Sequence, residues 1–256
     1  MRNTLRQYTI LLCVLATLVV NVLADALPIN GTNTGAISDR FHVYFVPAGY
    51  VFAIWGLIYI GLITYGVFQA LPAQADNPRL RSLDGFFILS SAANILWLFL
   101  WHYEQFVGTL IVMLFLLASL IGIYLRLGVG KTKASRGETW LVRVPFSIYL
   151  GWITVATIAN ATELLNYLNW NGWGITPETW MLIILSAVFV IATWMNISRR
   201  DIAYFLVILW ALIGIVVKQS DVALVARATG WTAAAVAVTL VAGLLLPKPA
   251  AKLKKA

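Results

Sequence analysis

Eight apolar runs separated by short polar connections dominate this chain, and they restrict it more than any other feature. The runs are Tyr8–Ala24, Pro47–Leu71, Leu83–Trp101, Phe106–Leu127, Val144–Leu165, Thr179–Ile197, Ile202–Val217 and Val222–Leu246. A helix needs ~20 apolar residues to cross the hydrocarbon core of a bilayer. Backbone polar groups in lipid must also be satisfied within their own segment, which leaves helices or closed barrels. Runs of this length predict helices. The fold class is therefore all-α, a polytopic membrane helix bundle of about eight transmembrane helices. At 256 residues with every loop short, no room is left for a soluble domain.

Charge placement fixes the count. With the N-terminus inside, fifteen of the eighteen Lys and Arg fall in inside segments, among them Arg6, Arg79, Arg143, Arg199 and Lys248. Only Arg40, Lys218 and Arg227 fall outside, the asymmetry expected of retained positive charge. Removing or adding one helix in the middle would scramble this split. An integral, multi-pass protein of the plasma (inner) membrane with both termini cytoplasmic is the expected arrangement. The first run, preceded by Arg2 and Arg6 and followed by Ala24-Asp25-Ala26, has some features of a secretory signal; an uncleaved first helix is preferred. Ile202–Val217 is short, within the range that local thinning accommodates.

The chain is 61% hydrophobic and 11% charged, far from the ~25% charged residues of soluble domains. Its net charge of +8 lies between apolar runs rather than on one polar face, which argues against a nucleic-acid partner. Cys13 is the only cysteine, so neither an intramolecular disulfide nor a thiolate metal site can form. His42 and His102, both read at the outer surface, have no second ligand at metal spacing. No metal is expected. Gly130-Lys131-Thr132 lacks the first glycine and preceding strand of a phosphate-binding loop. Asn30-Gly31-Thr32 is a glycosylation sequon on an outside loop.

Three runs carry polar and aromatic residues at one depth. In the second, Phe52, Trp55 and Tyr59 recur at i, i+3 and i+7, one face of a helix started by Pro47. Asn94, Trp97 and Trp101 share a face of the third run. Trp152, Ala156, Asn160 and Glu163 share one of the fifth. All three stripes reach the outer half, beneath the turn-rich loop Asp25–Val46, which reads as a lid or as a plain connector. Candidate ligand-binding residues are Phe52, Trp55, Tyr59, Asn94, Trp97, Trp152, Ala156, Asn160 and Glu163, and no catalytic residue is assigned. The alternative is helix packing, with Trp101, Tyr103, Trp170, Trp173 and Trp180 forming an interfacial belt. Glu163 is the acid placed within an apolar run, where a carboxylate is a functional candidate.

With Pro47, Gly49, Phe52, Trp55 and Tyr59, then Asn94 and Trp97, then Pro145, Trp152, Ala156 and Asn160, the chain resembles the TspO/MBR family of tryptophan-rich sensory proteins, also called translocator proteins. The resemblance covers about Tyr8–Asn169. It departs where Ala48 follows Pro47, in place of a second proline, and where Phe52 and Trp55 lie one residue closer than usual. The match is to a divergent member, extended by three helices. It implies a five-helix unit over residues 1–169, with three additional helices and a basic tail over 170–256. It also implies a pocket between the first, second and fifth helices for an apolar planar ligand, tetrapyrrole- or sterol-like. No cofactor is expected beyond such a bound tetrapyrrole. The expected partners are that small molecule and the bilayer, with a homodimer left open. A non-enzymatic receptor or carrier is the leading expectation. The alternatives are a secondary transporter of a small solute using Glu163, and a membrane enzyme degrading its ligand with Glu163 or His102 as acid–base.

Overall fold

The computed structural model describes residues 2–27 and 29–245, with the side chains of Arg2, Asn3 and Asp25 left aside. Pro28 of the first loop, Leu246 and the tail cations Lys248, Lys252, Lys254 and Lys255 lie outside the described residues. The described chain is helical, without a strand. Eight long helices are α1 Arg2–Ala26, α2 Ile54–Ala70, α3 Asp84–His102, α4 Phe106–Leu127, α5 Val144–Tyr167, α6 Pro177–Arg199, α7 Ile202–Lys218 and α8 Ala223–Leu245. Seven are long and apolar enough to cross a membrane, α2 when counted from Gly49 as a 22-residue span, and α7, at 17 residues, is the shorter apolar helix. The protein is a polytopic helical membrane bundle. Leu5, Leu12, Ile60, Leu114, Val190 and Leu244 stay exposed on its outer faces, as a hydrocarbon solvent permits.

Helices α1 to α5 pack around one another: α3 against α4, α4 against α5, α1 against α2 and α3, and α2 against α5. Small residues set the closest approaches. A Cβ on Gly61 of α2 would sit 2.8 Å from the Pro145 Cβ of α5. Between them the rings of Tyr65, Phe87 and Phe146 interlock edge to face, with centroids 4.9 to 6.0 Å apart. Helix α7 lies along α5, and α8 lies against α6 and α7. Asn196 of α6 donates its amide to the Thr239 carbonyl of α8.

Three starts differ from the sequence pattern, the first because α1 begins at Arg2, six residues before its apolar run. The second span does not enter an α-helix at Pro47. Ala48 is extended, Gly49–Ala53 forms a 3₁₀ segment, and α2 begins at Ile54. Helix α7 is the cause, because the Ala48 N–H donates to the Gly214 carbonyl at 3.1 Å and Trp210 Nε1 donates to the Val51 carbonyl at 3.0 Å. That carbonyl would otherwise accept from Trp55 within the helix. The fifth span starts earlier than its apolar run, through Arg136–Glu138 and a π-turn over Thr139–Arg143. Arg143 is consequently buried instead of lying at a surface. Its Nε donates to Glu138 at 3.1 Å, and Glu138 also pairs with Arg79.

Candidate functional site

The connection between α1 and α2 folds over one end of the five-helix bundle. Asn33 caps the short helix Thr34–Ser38, its side chain accepting from the Ala36 N–H. Trp101 Nε1 donates to the Thr34 carbonyl at 3.1 Å, and Asn30 of the sequon donates its amide to the His102 carbonyl at 3.0 Å. Ile37 is fully buried in an apolar cluster with Trp101, Phe106 and Leu164. Farther along, Arg40 pairs with Glu104, Asp39 with Lys218, and Tyr44 donates to Glu178 at 2.7 Å. That carboxylate holds the Tyr44 hydroxyl above its usual pKa range. The loop is fastened at its base to α3, α6 and α7, as a cover rather than a slack connector.

Beneath it lies a small cavity of about 50 Å³. Phe52, Trp55 and Trp152 form one wall. The Phe52 and Trp152 rings meet edge to face at 5.6 Å, and the Trp55 and Trp152 rings at 6.4 Å. Trp97 and Trp101, stacked at 5.3 Å with planes 16° apart, form the opposite one. Ala156 lines the cavity with a small side chain. Asn160, 2% exposed, also lines it, accepting from Trp97 Nε1 at 3.2 Å and donating to Thr109 Oγ1 at 3.1 Å. Glu163 is 4% exposed and accepts from Ser38 Oγ at 2.5 Å, so the cover is tied to α5 through the carboxylate.

Seven of the nine predicted residues thus line one cavity, and two do not. Tyr59 stands behind Trp55, their rings stacked at 5.7 Å. Its hydroxyl donates to Asn21, whose amide donates to Asn94, whose amide donates to the Tyr149 hydroxyl. These four residues from four helices complete one another's hydrogen bonds, a bridging network in place of a binding surface. Trp101 differs in the other direction. Its position at the end of a span reads as an interfacial belt, yet it is 2% exposed and lines the cavity. His102 is likewise fully buried, with Nδ1 bonded to the Leu98 carbonyl at 2.8 Å, instead of lying at the surface. Thr34, Ser38 and Met113 also line it, with Val46, Pro47, Val155 and Ala159, and sequence reasoning missed them as lining residues. The Asn33 cap signal locates the short helix, but nothing local aims Ser38 at a carboxylate 125 residues away.

One polar atom in the wall has no partner. Trp152 Nε1 is buried and donates to no acceptor among the described residues. Such groups are uncommon, because an unmade buried hydrogen bond costs ~1–3 kcal/mol. The cavity presents aromatic planes, one donor unused among the described residues and one carboxylate. Among the described residues no group of three or more His, Cys, Asp or Glu is placed to hold a metal ion.

The multi-pass helical bundle defines an integral membrane protein. The chain belongs to the TSPO-like protein family, whose model matches residues 7–246 and so runs through all eight helices. No curated protein and no solved structure matches the chain.

Proposed function

We propose that this protein is a non-enzymatic membrane receptor or carrier that binds an apolar, planar ligand against Trp55, Trp152 and Phe52 under the Thr34–Ser38 cover. The observation that carries the proposal is the buried Trp152 indole N–H, unpartnered among the described residues, in a wall of aromatic faces. Flat ligands stack on such faces, while a few polar groups fix their orientation. At about 50 Å³ the cavity is far below the ~300–1,000 Å³ of a site enclosing a drug-sized molecule. Binding a tetrapyrrole or sterol therefore requires the cover to lift and the Trp97–Trp101 stack to shift. The division of labour that fits is a pocket in α1 to α5, with α6 and α7 bracing the cover through Glu178 and Lys218. A plasma (inner) membrane location with both termini cytoplasmic fits the basic inside segments.

The test is titration of the purified, detergent-solubilised full chain with protoporphyrin IX, following tryptophan quenching in wild type and Trp152→Leu. The expected result is saturable quenching, with affinity about tenfold weaker in the variant for loss of one stacking face and one donor. Absence of saturable quenching in wild type would remove the tetrapyrrole. A second reading, a secondary transporter coupled through Glu163, draws on that carboxylate's burial and its tie to the cover. It predicts ion- or proton-dependent solute uptake that Glu163→Gln abolishes.

A further inference from the structure

A second cavity, at about 790 Å³ much larger than the aromatic pocket, lies on the other side of the start of α2. It is a groove floored by α5 at Ser147 and Ile148 and walled by α2 at Ile54 and Leu57 and by α7 at Leu206 and Trp210. Its flank is open, with Leu57, Leu206 and Trp140 at 50%, 55% and 68% exposure. In a membrane that flank meets lipid.

One end is basic. Arg143, Arg199 and Arg200 line the mouth, together with Val129, Gly130 and Thr132 of the connection between α4 and α5. Arg143 shares Glu138 with Arg79, so two guanidiniums divide one carboxylate. Arg199 donates to the Val129 carbonyl at 3.3 Å and lies over the Tyr124 ring at 5.7 Å, and no carboxylate among the described residues pairs with it. Asp201 is the one acid in the lining. It already accepts from the Tyr124 hydroxyl and the Tyr204 N–H. Lys131 and Lys133 add exposed charge on the same connection. The mouth is built, too. A Cβ on Gly130 would come within 1.9 Å of the Arg199 carbonyl, and Arg143 holds Thr132 through its carbonyl and hydroxyl at 2.7 and 2.9 Å.

The dimensions fit one leaflet. From Asp201 at the mouth to Trp210, the last α7 residue in the lining, the helix rises by nine residues, or ~13 Å at ~1.5 Å per residue, close to half of a ~30 Å hydrocarbon core. We infer that this groove seats one acyl chain of a glycerophospholipid from the leaflet on the Lys131 side, with an anionic headgroup against Arg199, Arg200 and Arg143. The polarity follows from the net positive mouth, since basic pockets between membrane helices recognise anionic headgroups. It is a site separate from the aromatic pocket, and it stands whether or not a planar ligand binds there.

The test is native mass spectrometry of the full chain, released from detergent containing equal amounts of phosphatidylglycerol and phosphatidylcholine. Two guanidiniums, at roughly fivefold each, predict that wild type retains phosphatidylglycerol about thirtyfold over phosphatidylcholine. In Arg199→Gln/Arg200→Gln the ratio falls to near parity. In Ala203→Trp, which fills the groove and leaves the charges in place, retention of both lipids falls. A large excess of inorganic phosphate leaves the lipid bound, because the chain as well as the headgroup is held. Equal retention of the two lipids by wild type overturns the inference, and this result needs no variant to fold. So does an unchanged preference in the charge variant, full retention in Ala203→Trp, or displacement by phosphate.

Discussion

At the scale of single residues, much depends on glycines that admit a neighbour and on amides that close a network. Gly214 of α7 is the sharpest case, since a Cβ there would sit 2.1 Å from Val51 Cγ2, and Val51 is fully buried. Gly214→Ala is expected to lower stability by ~1–3 kcal/mol, the range for overpacking a close contact. A reduced thermal midpoint of the detergent-solubilised protein would show it. Asn94→Leu removes the link between Asn21 and Tyr149 and leaves both without that partner. Cross-helix hydrogen bonds in membranes average ~0.6 kcal/mol, and stranding buried groups adds to this, so a loss of about 1–2 kcal/mol is expected. Planar-ligand binding should change little, because Asn94 does not line the cavity. The residue stripes were legible in the sequence at this scale because helical spacing puts Trp152, Ala156, Asn160 and Glu163 on one face. Which stripe members line the cavity was not. Trp55 hides Tyr59, and Trp101 turns inward because the Thr34 carbonyl, 67 residues away, accepts its indole N–H. Tertiary partners decide such matters, and spacing carries no record of them.

At the scale of elements, the cover and the entry to α2 behave as fastened pieces. Ser38 ties the cover to Glu163 by a buried bond to a carboxylate, a type worth ~1.5–3 kcal/mol. Ser38→Ala should therefore raise amide exchange across Thr34–Ser38 by about tenfold or more, with exchange in α7 unchanged. Uniform protection would show that the exposed pairs of Arg40 and Lys218 hold the cover instead, although such pairs typically contribute less than ~1 kcal/mol. Whereas α1 starts six residues before its run, from the third run onward the long helices were readable to within about two residues of their apolar runs, because bilayer thickness and turn residues set their ends. The entry to α2 was not, because Pro47 is a good first-turn residue and only the groups donated by α7, about 160 positions later, draw the segment out of the helix.

For the whole molecule, the basic connection between α4 and α5 and the tryptophan-rich connection between α5 and α6 should face opposite sides of the membrane. In a Cys13→Ala background, an impermeant thiol reagent applied outside intact cells is expected to label Trp173→Cys, which is 76% exposed at its own position. Lys131→Cys should be labelled only after permeabilisation. The reverse pattern would invert the orientation that positive charge predicts. The groove was invisible in the sequence for a topological reason. Its walls come from Ile54–Leu57 and Leu206–Trp210, which meet only once α7 has settled along α5.

The turn from Phe52 to Leu57 is a party wall. Phe52 and Trp55 look into the aromatic pocket, while Ala53, Ile54 and Leu57 look into the groove. Trp210, which itself lines the groove, grips the turn by the Val51 carbonyl. A wall shared by two rooms cannot be pushed from one side only. Whatever moves this turn on filling one cavity alters the other, and thermodynamic linkage requires the effect to be equal in both directions.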